Sequence, residues 1–142
     1  MVDVLAGLIE FLLADSALYA LAEQRVFGAE VPASEAGKMP RQAVVARFAG
    51  GGASAPGASD WTEHCNFRVD FFCYGETPIK AEEVRRAVHT AIKNLARYVT
   101  GGDVLLHSAT LSGGPIFLRD PDTDWPLVFE SWLLYAAECA VA

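Results

Sequence analysis

The sequence predicts an α+β fold: a mostly antiparallel sheet of about five strands with helices packed on one face. Three observations predict it. Apolar residues recur at helical spacing at the start of the chain and again after position 77. Between them, residues 61–74 alternate between apolar and polar, the period of a half-buried strand. The other β-branched runs are separated by Gly, Pro and Asp turns rather than by helices, which favours hairpins over parallel crossovers. A length of 142 residues fits a single domain, 1–142. With 52% apolar and 20% charged residues, the chain can build its own core.

Val2, Leu5, Ile9, Leu12 and Leu13 define an amphipathic helix over residues 2–14. Asp15 or Ser16 can cap a second helix over 16–23. Gly28, Pro32, Gly37 and Pro40 mark residues 28–41 as a loop. Gln42–Phe48 is a β-branched strand. Ala49–Asp60, AGGGASAPGASD, holds no apolar residue larger than alanine, so burial cannot offset its ordering entropy. It is expected to be a flexible hairpin tip, and loops of this length are usually functional or disordered.

Trp61–Tyr74 follows as a strand, with Trp61, Cys65, Phe67, Val69, Phe71 and Cys73 on one face. Thr62, His64, Asn66, Arg68 and Asp70 take the other. Thr77 and Pro78 open a helix. Its stripe runs Val84, Val88, Ala91, Ile92, Leu95, Val99, while Glu82, Glu83, Arg85, Arg86, His89, Lys93 and Arg97 face away. Gly101-Gly102 is its expected stop. Val104–Leu111 and Pro115–Arg119 read as two strands joined at Ser112-Gly113-Gly114. Asp120–Pro126 is an acidic turn, and Leu127–Cys139 is a closing strand with Leu127, Phe129, Leu133 and Tyr135 on one side.

The formal charge is 11 − 18 = −7, a surface that repels a phosphate backbone. Three cysteines, Cys65, Cys73 and Cys139, leave an odd count and no CxxC spacing, as expected of small buried hydrophobes in a reducing cytoplasm. Residues 4–22 are strongly apolar, but Met1-Val2-Asp3 carries no basic residue and Glu10 and Asp15 interrupt the run. Neither a signal peptide nor a membrane span is expected.

A search for chemistry returns little. The glycines of 50–57 are not followed by Gly-Lys-Ser/Thr, and they fail G-x-G-x-x-G at Ala55. No serine sits in G-x-S-x-G. Asp120, Asp122 and Asp124 have the opening spacing of a calcium loop, but its sixth position is Trp125 and its twelfth is Ser131. His64, His89 and His107 show no ligand spacing. No catalytic residue, metal site or cofactor is therefore expected.

Residues 18–32, LYALAEQRVFGAEVP, then Met39-Pro40-Arg41-Gln42-Ala43-Val44-Val45, carry a Leu-x-x-Leu-Ala segment, Arg-Val-Phe, a Val-Pro loop and a Pro-led strand. With the later helix TPIKAEEVRRAVHTAIKNL and the turn Arg119-Asp120-x-Asp122, this order resembles the tail-completion, or tail-terminator, proteins of long-tailed bacteriophages and gene transfer agents. The resemblance implies a non-enzymatic virion protein at the neck end of the tail, assembled in the bacterial host cytoplasm. Such proteins form a ring, usually a hexamer, that caps the tail tube, ends its polymerisation and meets the head-tail connector protein. DNA passes through the lumen of such a ring without specific binding.

The alternatives are another neck or tube component, or a small α+β ligand-binding protein or enzyme. The candidate partner-binding residues are Gly50, Gly51, Gly52, Asp60 and Trp61 in and beside the long loop. Arg119, Asp120, Asp122, Asp124 and Trp125 at the acidic turn complete the set. Trp61 and Trp125 are the candidate anchors, because tryptophan is enriched at binding hot spots.

Overall fold

A computed structural model of the chain describes residues 3–52, 64–101 and 104–137. The chain opens with α1 (Val4–Leu13) and α2 (Ser16–Ala22). The Asp3 carboxylate accepts from the Ala6 amide at 2.9 Å, and the Asp15 carboxylate from the Leu18 amide at 2.9 Å. Each aspartate thus satisfies one of the free N–H groups of a first turn. The two helices bend by 87° where they meet, and among the described residues no single helix is long and apolar enough to cross a membrane.

The remaining elements are β1 (Val26–Gly28), α3 (Ala33–Ala36), β2 (Ala43–Gly52), β3 (His64–Tyr74), α4 (Pro78–Lys93), β4 (Tyr98–Val99), β5 (Leu105–Arg119) and β6 (Pro126–Ala137). They form one six-stranded sheet in the order β1-β2-β3-β6-β5-β4. All neighbours are antiparallel except β1 and β2, which run parallel. The α+β class holds, and the sheet is mixed rather than purely antiparallel.

The helices cover one face. Leu8, Leu12 and Leu18 pack with Val44, Val69, Phe71, Val84, Val88, Ile92, Trp132 and Leu134 in the main core. The predicted faces of β3 and α4 meet here: Val69 and Phe71 against Val84, Val88, Ile92 and Leu95, with Phe67 at the margin. On the opposite face a smaller cluster, Ala43, Val45, Tyr74 and Leu127, lies with Phe27, Val31, Phe72, Trp125 and Phe129.

Several boundaries differ from the sequence reading. Residues 28–41 are not all loop: β1 ends at Gly28, and α3 adds a single turn. β1 was hidden because three residues carry no period; its identity comes from a partner strand nearly twenty positions away. β2 does not end at Phe48 but continues to Gly52, with a register shift between Phe48 and Gly51 and Gly50 at φ 103°. α4 ends at Lys93 rather than near Gly101. Arg97, at φ 39°, donates its amide to the His107 carbonyl at 2.9 Å, and Val99 joins β4 instead of the helical stripe.

The largest correction is β5. Ser112-Gly113-Gly114 does not turn the chain between two strands; one fifteen-residue strand runs through it. Register shifts on either side of Gly113 absorb the glycines as bulges, so β5 stays beside β6. At Gly114, φ is 100°, and a Cβ there would lie 2.7 Å from the Phe129 carbonyl oxygen. Only glycine fits that approach.

In β6, Leu127 and Phe129 do share a side, but it faces away from the helices. The side toward the helices holds Trp132, Leu134 and Ala136. Leu133 is exposed.

Candidate functional site

The acidic turn is built by one side chain. The Asp120 carboxylate accepts from the amides of Asp122 at 2.9 Å and Thr123 at 3.1 Å. The Asp120 amide donates to the Trp125 carbonyl at 3.0 Å, closing the turn at its neck. Asp124 takes the left-handed conformation, φ 60°, which aspartate tolerates better than most residues. The Arg119 guanidinium donates to the Asp124 carbonyl at 3.0 Å and lies 3.8 Å from its carboxylate. Asp120 is thus a turn-forming residue, its Oδ1 accepting from two backbone amides.

Trp125 is half-buried and meets Tyr74 edge to face at 5.9 Å. It belongs partly to the smaller cluster and partly to the surface. Burial, and then the Asp120 charge, pushes the Tyr74 hydroxyl above its ordinary value.

The turn, the segment after β1 and the open sheet face enclose a cleft of about 510 Å³. Glu30 and Val31 form one wall, and Arg119, Asp120 and Asp122 the other. The floor is aromatic, Phe72, Tyr74 and Trp125, with the Arg47 guanidinium 5.8 Å above the Phe72 ring. The mixture suits a polypeptide segment carrying an apolar side chain flanked by charge. Four predicted residues, Arg119, Asp120, Asp122 and Trp125, line this cleft; Asp124 bonds to Arg119 beside it.

The rest of the predicted set lies elsewhere. Gly50, Gly51 and Gly52 occupy the far end of β2, level with residues 66–67 of β3, and Asp60 and Trp61 fall outside the described residues. From Gly52 to the acidic turn is most of a strand length, about 30 Å at 3.3 Å per residue. The two groups of predicted residues do not form one site.

Sequence reasoning missed a buried charge cluster. Glu130 on β6 is 1% exposed and points toward α4. Its carboxylate receives Arg85 Nη1 at 2.9 Å and Trp132 Nε1 at 2.7 Å, and meets His89 Nδ1 at 3.0 Å. Arg85 also pairs with Glu82 one turn earlier. Arg85 and His89, read from periodicity as outward-facing, reach back to the sheet. The Glu82 hydrogen bond, with Glu130 adding, raises the Arg85 pKa against the opposing effect of burial. The available signal was register: Glu130 stands two positions before Trp132 and four before Leu134, on their face. Glu130 itself is buried, while the Arg85 and His89 side chains that reach it are partly exposed. Among the described residues, no three metal-binding side chains come together.

No family model matches the chain, and no curated protein matches it. Among solved structures it is similar to a chain in the virion of a native gene transfer agent particle, at TM-score 0.66 and 16% identity. The match spans 93% of this chain and 92% of that one. At this identity the likeness is one of fold, and it runs from end to end of both chains.

Proposed function

We propose that the chain is a structural component of a phage-like or gene transfer agent particle, and that it acts at the neck end of the tail. There it caps the tail tube as a ring of six copies, ends tube polymerisation and joins the tail to the head connector. The observation that carries this reading is the end-to-end fold match to a virion chain, with neither chain leaving a substantial part unmatched. Two further points support it. The quoted N-terminal motifs and the Arg119-Asp120-x-Asp122 turn resemble those of tail-completion proteins. The net charge of −7 also suits a passage through which DNA moves without sticking.

The cleft walled by Glu30, Arg119 and Asp122 is the proposed contact for a tube or connector protein. Its aromatic floor supplies an anchor, and its charged rim supplies register. Electron microscopy of particles made without this chain tests the role. Overlong or headless tails are the expected result. Normal tails with a missing baseplate or an empty head would overturn it. Labelled protein spread along the whole tube would instead assign a tube component.

A further inference from the structure

The cleft beside the acidic turn holds charge that this chain does not answer. Glu30, Asp120 and Asp122 line it, and among the described residues none of the three carboxylates is in an ion pair. Asp120 uses one oxygen on the turn's amides, and nothing described meets the other. The two guanidiniums in the cleft are engaged elsewhere. Arg119 holds Asp124, and Arg47 lies over the Phe72 ring.

Tyr74, in the floor, is only 8% exposed. Its hydroxyl has no hydrogen-bond partner among the described residues, yet that oxygen is not sealed off from solvent. A hydroxyl so nearly buried costs free energy until it is paired. The Asp120 charge acts on it, so the hydroxyl and the carboxylate share one field.

We propose that the cleft receives an arginine side chain from another virion protein, its stem on the Phe72 and Trp125 rings and its guanidinium donating to Asp120, Asp122 and the Tyr74 hydroxyl oxygen. The inference rests on the reading of this cleft as a contact for a tube or connector protein, and it names the chemistry of what enters. Three carboxylates against two occupied guanidiniums call for a cation. The net charge of −7 draws a basic surface toward the chain as a whole. Arginine fits better than lysine, because its planar head stacks on rings and donates along several directions at once. Arg47, 5.8 Å from the Phe72 centroid, is a guanidinium already resting on this floor. The arginine stem is apolar and its head charged, which matches an aromatic floor under a charged rim. Arginine is also enriched at protein interfaces, where a docked segment shares the entropic cost of association among many contacts.

Titration of the full chain, labelled with nitrogen-15, tests the site. The probes are acetyl-Gly-Leu-Arg-Leu-Gly-amide and the same peptide with citrulline, which keeps the shape and loses the charge. The arginine peptide is expected to shift the amides of residues 119–125 and the Trp125 indole, with the citrulline peptide about tenfold weaker. Tyr74→Phe removes no described hydrogen bond, so its melting midpoint should hold while arginine binding weakens severalfold. Equal binding of the two peptides, or no shift at the cleft, would overturn the inference. Glu30 and Asp122 are exposed, so Glu30→Lys with Asp122→Lys should fold, lose the arginine peptide and give overlong or headless tails in the particle. Such tails without any arginine preference in the titration sink the inference and leave the tail role standing. Normal tails from the double variant, with arginine binding lost, overturn the cleft as an assembly contact. An oligomer of the purified chain that the double variant reduces to monomer, seen by native mass, assigns the arginine to a second copy and overturns the choice of partner.

Discussion

Glu130 occupies a position on β6 that its neighbours Trp132 and Leu134 fill with apolar side chains. A carboxylate there persists because three donors surround it: Arg85, Trp132 and His89. Removing one partner of such a cluster leaves the others buried and unpaired, which costs more than the cluster contributes as a whole. Glu130→Ala is expected to lower stability by about 3–5 kcal/mol in urea unfolding, and Glu130→Gln by less, because the amide oxygen still accepts. Loss of under 1 kcal/mol in Glu130→Ala would show the cluster to be open to water.

Cys73 lies in the same layer, fully buried. Desolvation, and then the Glu130 charge, raises its thiol well above the ordinary 9.0. The folded protein therefore keeps this proton where the unfolded chain releases it. Stability from this group is intact below pH 9 and falls as pH rises beyond it, by about 1.4 kcal/mol per unit. Unfolding measured from pH 8 to 10 is expected to show that decline. In Cys73→Ala the slope attributable to this thiol disappears, whatever the cost of the cavity.

At the scale of elements, β3 and α4 were legible because each carries an uninterrupted period and α4 has its Thr77-Pro78 start. Phe71→Ala, at the centre of their contact, is expected to cost about 3–5 kcal/mol in the same unfolding assay. An unchanged midpoint would refute the packing. β6 was half legible. It is apolar on both sides, so alternation could not say which side meets the helices. The packing of α4 decides that, with Trp132 on the inner side and Leu133 outside.

β5 was misread for a different reason. Two adjacent glycines signal a turn locally, but here the pairing with β6 resumes beyond them and makes them bulges. Gly114→Ala places a Cβ against the Phe129 carbonyl at a positive φ. A loss of about 1–3 kcal/mol is expected, whereas Gly113→Ala, facing open space, should be nearly silent. The comparison of the two melting curves checks the bulge directly.

For the whole molecule, the acidic turn was visible in the sequence, but the cleft beside it was not. Arg47, Phe72 and Tyr74 come from two strands whose adjacency depends on the complete sheet, and Glu30 comes from the segment after β1. The sheet order has another consequence. β6, the last of the six strands along the chain, lies between β3 and β5, near the middle of the sheet. A chain ending before Pro126 should therefore be unfolded by circular dichroism and prone to precipitate, however intact its helices look in sequence.

During synthesis the same order leaves β3 and β5 without the strand that joins them until residues 126–137 leave the ribosome. Until then the nascent chain exposes two strand edges and the apolar face meant for Trp132 and Leu134. Folding is tied to the arrival of β6 rather than to the growth of the strands before it. Partner pairings of β3 and β6 across more than fifty residues also place the protein among slower folders, in the millisecond-to-second range. A cell making many copies at once would need either a chaperone for chains still lacking β6 or an assembly site that accepts only those that have it.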